Sequence, residues 1–340
     1  MTILIYTGIN TYLCKRQQIL SIMKQTPSTC VYLGTNLASY GFGNNHPFGP
    51  QRHNSFSTAL RDLQLDQQLC LREPVSTNRQ IIELFHEPDY VDRVIEQSKT
   101  GSGYLDYGDT PAFKGVYEAT CYVVGSVIDA IDQLLKHEFK HAFVPIAGLH
   151  HARRDSAAGF CVFNDCGIAI EYLKTQKLKQ ILYVDIDAHH GDGVFYAFED
   201  DPAVIFADIH ESGQYLYPGT GHSSETGRGE ATGLKLNIPM KPGSTDNDFL
   251  IAWQQLEKFV SQFKPEFILL QCGVDSMAGD PITHLKYSAQ SHAFATQALI
   301  NIANLHCEGK LLVMGGGGYN HQNIALGWTT VVQTLIDQSG

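Results

Sequence analysis

The chain reads as an α/β protein with a single open, mainly parallel sheet, helices on both faces, and an active site at the carboxyl ends of the strands. Three observations lead there. Five short apolar runs, Ala142–Ile146, Ile181–Val184, Val204–Ala207, Phe267–Gln271 and Leu311–Met314, read as strands buried on both faces. Segments with helical periodicity lie between and after them, roughly Gly115–Lys136, Asp165–Lys174, Asp246–Gln262, Ser288–His306 and Asn323–Ile336; such alternation builds a parallel sheet. Each run also exits into polar or glycine-rich residues, where open parallel sheets collect ligands.

Taken in order, residues 1–28 form an N-terminal extension with a candidate edge strand at Thr2–Tyr6 and a short helix at Lys15–Met23. Residues 40–53, rich in Gly, Pro, Asn and His, and Thr100–Thr110 read as long surface loops of the kind that border active sites. Between them, Asp89 in His86-Glu87-Pro88-Asp89-Tyr90 reads on its own as a helix-capping residue. The first strand exit is Gly148-Leu149-His150-His151. The others are Asp185-Ile186-Asp187-Ala188-His189-His190, Asp208-Ile209-His210, Gln271-Cys272-Gly273-Val274-Asp275 and Gly315-Gly316-Gly317-Gly318-Tyr319. No repeat, low-complexity tract or linker divides the chain, so residues 1–340 are expected to form one domain.

The 43% hydrophobic and 17% charged fractions describe a globular chain. No run approaches the roughly 18 apolar residues of a membrane span, and the start lacks a signal-peptide pattern. Eight scattered cysteines without a C-x-x-C pair suggest reduced thiols and a cytoplasmic address. A formal net charge of −11 argues against a nucleic-acid surface and is compatible with a cationic partner.

The densest chemistry is the run Val184–Gly193, with three carboxylates and two imidazoles directly after an apolar strand. On an extended segment Asp185, Asp187 and His189 point to one side. Asp187 and His189 can grip one ion while Asp185 supports the site from behind. A catalytic divalent ion wants about three protein ligands and an open position, and Asp275 at another strand exit is the best-placed third. Two carboxylates neutralise a divalent charge, and oxygen ligands admit Fe(II) or Co(II) as well as zinc.

The tandem pair His150-His151 has spare carboxylates nearby. Asp185 and Asp192 can each accept an Nδ1–H, fixing a tautomer and raising the imidazole pKa. Two dyads of unequal burial would separate their pKa values and supply both a base and an acid. In Gly315–Tyr319 the glycines allow close backbone approach, and a tyrosine hydroxyl there can donate to an oxyanion. A phosphate cradle lacks its Lys-Ser/Thr. Phe160 and Tyr217, near glycines, suit either core or channel.

In this order the motifs resemble those of the histone deacetylase superfamily, closest to its class I branch and to the bacterial acetoin-utilisation deacetylases. The likeness runs from about Cys30 to Ile336. It includes Asn45–Arg52, Asp109–Phe113, Gly148–Ala152, Gly159–Asp165, Asp185–Gly193, Pro218–Gly221, Gln271–Asp275 and Gly315–Tyr319. The resemblance implies the arginase/deacetylase-like fold and zinc on Asp187, His189 and Asp275. It implies His150 and His151 as the proton-transfer pair, backed by Asp185 and Asp192, with Tyr319 polarising the amide carbonyl. Phe160 and Tyr217 would wall a tunnel for acyl-lysine, Asp89 would hold the substrate backbone at the rim, and Arg52 would lie near the released acetate. A structural potassium would fall around Asp185, Asp187, His189, Asp208 and Ile209.

The departures bear on substrate. Tyr217 stands where class I enzymes usually have phenylalanine. Pro281 replaces an arginine used for inositol-phosphate binding. Ile282 occupies the position of a glutamate in polyamine-selective relatives, which favours acylated lysine peptides or proteins over acetylpolyamines or other small amides. A ureohydrolase would need a second carboxylate-rich metal motif, and a catalytically dead acyl-lysine reader would have lost Tyr319 or a ligand.

Overall fold

The computed structural model describes residues 27–43 and 46–338. The expected strand Thr2–Tyr6, the helix Lys15–Met23 and Asn45 lie outside the described residues. Eight strands form one sheet: β1 (Thr29–Tyr32), β2 (Cys70–Arg72), β3 (His141–Val144), β4 (Ile181–Asp185), β5 (Val204–Glu211), β6 (Lys235–Met240), β7 (Phe267–Gln271) and β8 (Leu311–Met314). Their spatial order is β2-β1-β3-β8-β7-β4-β5-β6, and every neighbouring pair is parallel. β3, β4, β5, β7 and β8 are buried along their whole length, as strands covered on both faces should be.

The helices are α1 (Thr35–Ala38), α2 (Gln51–Asp62), α3 (Arg79–Ile82), α4 (Pro88–Thr100), α5 (Val116–Leu135), α6 (Asp165–Thr175), α7 (Asp192–Ala197), α8 (Asp246–Val260), α9 (Ala289–His306) and α10 (His321–Asp337). One packed group is α2, α10, α9 and α8; another is α4, α5, α6 and α7. Asn164 caps α6 through the Gly167 N–H, and a Thr245–Asp248 capping box opens α8.

Three strands, β1, β2 and β6, were not among the apolar runs. β2 has three residues, and β6 carries Lys235 and Pro239, which an edge strand tolerates. The expected loop over residues 40–53 ends early, because α2 begins at Gln51, directly after Pro50. Topology then places the site. After β4 the chain moves outward through β5 and β6, then returns to the other side of β4 for β7 and β8. The β4–β7 junction is a switch point, the crevice where such sheets bind ligands.

Candidate active site

Asp187 and His189 leave β4, and Asp275 leaves β7, on the two sides of that junction. One ligand-type atom from each lies within 4.8 Å of the others, and all three residues are buried. His189 Nδ1 is 3.0 Å from Asp187 Oδ1 and 3.1 Å from Asp275 Oδ2. The rear oxygens are already held. Asp187 Oδ2 accepts from Gln271 Nε2 and from the Gly317 N–H, each at 2.8 Å, and Asp275 Oδ1 accepts the Ala188 N–H at 2.9 Å. The front oxygens and the imidazole are therefore fixed toward one another. Burial, then the Asp187 charge, pushes Asp275 up to about 7. Burial opposes a charge on His189, yet Asp187 and Asp275 together lift it to about 10. One nitrogen and two carboxylate oxygens around a buried excess of negative charge fit a divalent cation.

Backbone room here depends on glycine. A Cβ on Gly317 would stand 2.1 Å from Asp275 Oδ2, and Gly318 adopts φ 129°. The Trp328 indole holds the Gly315 carbonyl at 2.9 Å, and the Gly316 N–H bonds Ala147 O at 2.7 Å. The glycine run thus lets the loop after β3 cross close above β8 and deliver His150 and His151 to the exit of β4.

His150 Nδ1 lies 2.8 Å from Asp185 Oδ2, and His151 Nδ1 lies 2.7 Å from Asp192 Oδ1. With both Nδ1 protons directed at carboxylates, the two Nε2 atoms face each other at 3.1 Å, a geometry that holds one proton between them. Burial does not distinguish the two histidines, which are 3% and 4% exposed. Charge makes the difference. Burial disfavours a cation on His150, but Asp185 and Asp187 outweigh it and raise the ring to about 9. Burial, then the His150 charge, lowers His151 to about 4.

Tyr319 follows the glycine run, its ring 5.8 Å from that of Phe160 and 6.5 Å from that of Phe48. Burial, then the Asp275 charge, keeps its phenol well above the usual pKa, so it remains a donor. Arg52 on α2 is fully buried. Its Nε and Nη2 donate to Gly318 O and Gly316 O at 2.8 and 2.5 Å, while Nη1 has no partner among the described residues.

Phe160 and Tyr217 stand on either side of this cluster. Phe160 adopts φ 67°, rare for a bulky residue. Its N–H donates to Thr110 Oγ1 at 3.1 Å, its carbonyl accepts from the Tyr40 hydroxyl at 2.6 Å, and the His46 ring lies 4.5 Å away. Tyr217 packs against His151 with ring centroids 5.1 Å apart and is 44% exposed. Gly159 passes between them, where a Cβ would meet His151 at 2.5 Å and Tyr217 at 3.0 Å. Outside lies a cavity of about 500 Å³ lined by Asp106, Tyr107, Asp109, Arg153, Ser156 and Tyr217.

Asp89 is not part of that lining. It occupies the exposed first turn of α4 after Pro88, where a carboxylate complements the helix dipole. The carboxylates that line the cavity are Asp106 and Asp109. Asp106 Oδ1 accepts the N–H groups of Gly108, Asp109 and Thr110 at 2.9, 3.1 and 2.9 Å. Burial, then Asp106, raises Asp109 to about 7. Asp109 opens the Asp109–Phe113 motif, so a signal for it was present without a role. Gln271 and Asp280 were also missed. Ile282 is half-buried on the loop after β7, its N–H bonded to Asp280 Oδ1 at 3.1 Å.

The described cysteines are free, and no helix among the described residues is long and apolar enough to cross a membrane. Comparisons with known proteins converge. The chain is 35% identical over 293 residues to the acetoin utilization protein AcuC of Bacillus subtilis, covering 83% of this chain and 75% of that one. It is 31% identical over 329 residues to AcuC of Staphylococcus xylosus, covering 94% and 85%. Among solved structures, the HDA15 HD domain superposes with a TM-score of 0.85 at 27% identity, over 91% of this chain and 88% of that one. The histone deacetylase domain model matches residues 46–335, and with the fold and the relatives it makes this chain a member of the histone deacetylase superfamily, of the acetoin-utilisation type.

Proposed function

We propose that this deacetylase-family hydrolase removes acetyl or other small acyl groups from lysine side chains of peptides or proteins, with a zinc ion on Asp187, His189 and Asp275. The observation that carries the reading is the convergence of that three-residue cluster with two His–Asp dyads and a protonated tyrosine at one sheet edge. When bound, the ion supplies Lewis acidity and lowers the pKa of water; Fe(II) or Co(II) suits the same ligands. His150 and His151 share one proton. The unprotonated Nε2 accepts the proton of the attacking water, and the pair returns a proton to the departing amine. Tyr319 donates to the developing oxyanion. Phe160 and Tyr217 wall the neutral stem of the acyl-lysine, and Arg52 Nη1 is a buried donor for a small carboxylate product.

At the mouth, Asp109 takes the substrate-holding role first expected of Asp89, as a carboxylate that accepts peptide N–H groups. The potassium expected near Asp185 draws support from Asp208, its register partner across β4 and β5. Burial, with Asp208 acting against His150, pushes Asp185 to about 6. Free thiols accord with a cytoplasmic setting.

A second reading, deacetylation of acetylpolyamines, has one observation in its favour: Asp106 and Asp109 at the mouth would also meet a distal ammonium. Ile282 offers that ammonium no charge. Purified enzyme assayed on acetyl-, longer acyl- and lactyl-lysine peptides beside acetylated putrescine and spermidine separates the two. Higher kcat/KM for a lysine peptide is expected, and preference for the polyamines overturns the lysine assignment.

A further inference from the structure

The Tyr319 hydroxyl and the Asp187–His189–Asp275 cluster come from different strand exits, and their chemistry works only if the spacing between them is held to a fraction of an ångström. Asp280 sits where that spacing is set. It lies on the loop after β7, five residues beyond Asp275, and is 8% exposed. One carboxylate oxygen accepts the Tyr319 N–H at 2.8 Å; the other accepts the Ile282 N–H at 3.1 Å. Beside it, Asn320 Nδ2 donates to Gly279 O at 3.0 Å. The carboxylate thus ties the loop that carries Asp275 to the residue that carries the phenol.

Other bonds join the same two loops, but away from Tyr319. The Val274 N–H reaches Gly317 O at 3.0 Å, and Asn323 Nδ2 reaches Ala278 O at 3.2 Å. Between them lies Gly318 at φ 129°, a backbone position with wide freedom. The peptide that aims the Tyr319 ring is held at two points, its Gly318 carbonyl by Arg52 Nε at 2.8 Å and its Tyr319 N–H by Asp280, so losing the second leaves it pinned on one side only. The loop end beyond Asp280 is itself fixed: Thr283 Oγ1 donates to Asp275 O, and the buried Glu211 accepts both the N–H and the Nδ1 of His284 at 2.8 and 2.7 Å. Asp280 therefore pulls Tyr319 against an anchored segment.

We infer that Asp280 is a positioning residue, acting through the Tyr319 backbone to hold the phenol at its working distance from the three-residue cluster. The inference rests on the role proposed for Tyr319 and names a part that role needs.

Asp280→Ala and Asp280→Asn, made alone and with Tyr319→Phe, test it. In Asp280→Ala, kcat on an acetyl-lysine peptide should fall roughly 10- to 100-fold, with KM within about twofold and metal content unchanged. Asp280→Asn, which keeps one acceptor oxygen, should recover part of the loss. Adding Asp280→Ala to Tyr319→Phe should cost less than about twofold more, because the group being aimed is already gone. Amide exchange read by mass spectrometry over residues 317–321 should rise in Asp280→Ala and stay at the wild-type level over residues 185–192.

Normal kcat in Asp280→Ala, an undiminished loss in the Tyr319→Phe background, or a loss matched by lost metal each overturns the inference. If Tyr319→Phe alone proves fully active, the functional reading fails separately. Amide exchange then decides this one: unchanged protection at Tyr319 in Asp280→Ala sinks it, and a local rise upholds the tether. Should Asp280→Ala not fold, Asp280→Asn carries the same kinetic and exchange comparison.

Discussion

The floor and the mouth of this site are built by different rules. On the floor, Asp187, His189, Asp275 and the two His–Asp dyads are buried, and the Asp187 and Asp275 carboxylates are each held from behind by N–H donors on strand exits. At the mouth, Asp106, Tyr107, Asp109 and Tyr217 belong to loops, and Tyr107 and Tyr217 are exposed. A buried charge with fixed partners tolerates no substitution, because removing one partner strands the others in low dielectric. A partly solvated rim group trades with water, so its loss is felt in binding and by degrees. The floor should therefore decide whether the reaction occurs, and the mouth on what.

The sharpest way to break this contrast is at the floor. Asp187→Ala should abolish bound metal and activity together, because the residue supplies one front oxygen and orders Gln271 and Gly317 behind it. Elemental analysis beside turnover checks it. Retained activity without metal, or two transition-metal ions per wild-type chain, would contradict the single-ion site. Tyr319→Phe comes next. It should leave metal content and folding intact and lower kcat by roughly 10²–10³, the usual cost of one oxyanion donor. Near-normal turnover on an acetyl-lysine peptide would make Tyr319 a packing residue.

The same division explains what could be read from the chain alone. Ile181–Asp185 and Phe267–Gln271 are apolar because they are buried on both faces, and their exits are polar because the crevice is there. Both facts are written locally, so β4, β7 and the grouping of Asp187, His189 and Asp275 could be read without coordinates. β1 and β2 could not, because four and three residues carry too little pattern to stand out. α2 was hidden because a Gly/Pro/Asn/His run leads into a polar first turn. The mouth was the least legible part. Asp89 and Asp109 are both acids near a proline, and although Asp89 reads as a helix-capping residue, only the folded chain shows that Asp109 lines the cavity and Asp89 does not. Gln271 and Asp280 act by reaching residues far away in the chain, which no local pattern announces.

At the mouth, effects should be graded. Ile282→Glu should narrow or reverse the preference for acyl-lysine peptides over N-acetylspermidine, since a partly desolvated pair with the amine contributes on the order of 1–3 kcal/mol. Competition between the two substrates reads it out, and an unmoved ratio would place Ile282 away from the substrate's far end. Asp109→Asn should raise KM for a peptide about tenfold with kcat nearly unchanged, the effect of one charge-assisted acceptor discounted for solvent. Its pH dependence has a definite sign. With the acid raised to about 7 by burial and by Asp106, the accepting carboxylate forms as pH rises through that value. KM in the wild type should therefore fall between pH 6 and 8, roughly one unit either side of that pKa. The slope should vanish in Asp109→Asn; if it persists there, another group controls binding.

The smallest effect should come from Asp89, and that smallness is what separates it from Asp109. Asp89 lies in the first turn of α4, behind a proline at the first helical position, and faces solvent. Its carboxylate lies at the positive end of the helix dipole, a favourable placement screened by water and salt. Asp89→Ala should therefore leave kcat and KM within about twofold of wild type, while Tm falls by no more than about 2 °C. That small loss should shrink further in high salt. Set beside Asp109→Asn on the same peptide, the pair assigns the rim contact directly. A KM rise in Asp89→Ala equal to that in Asp109→Asn would return the substrate contact to α4 and move the mouth of the tunnel with it.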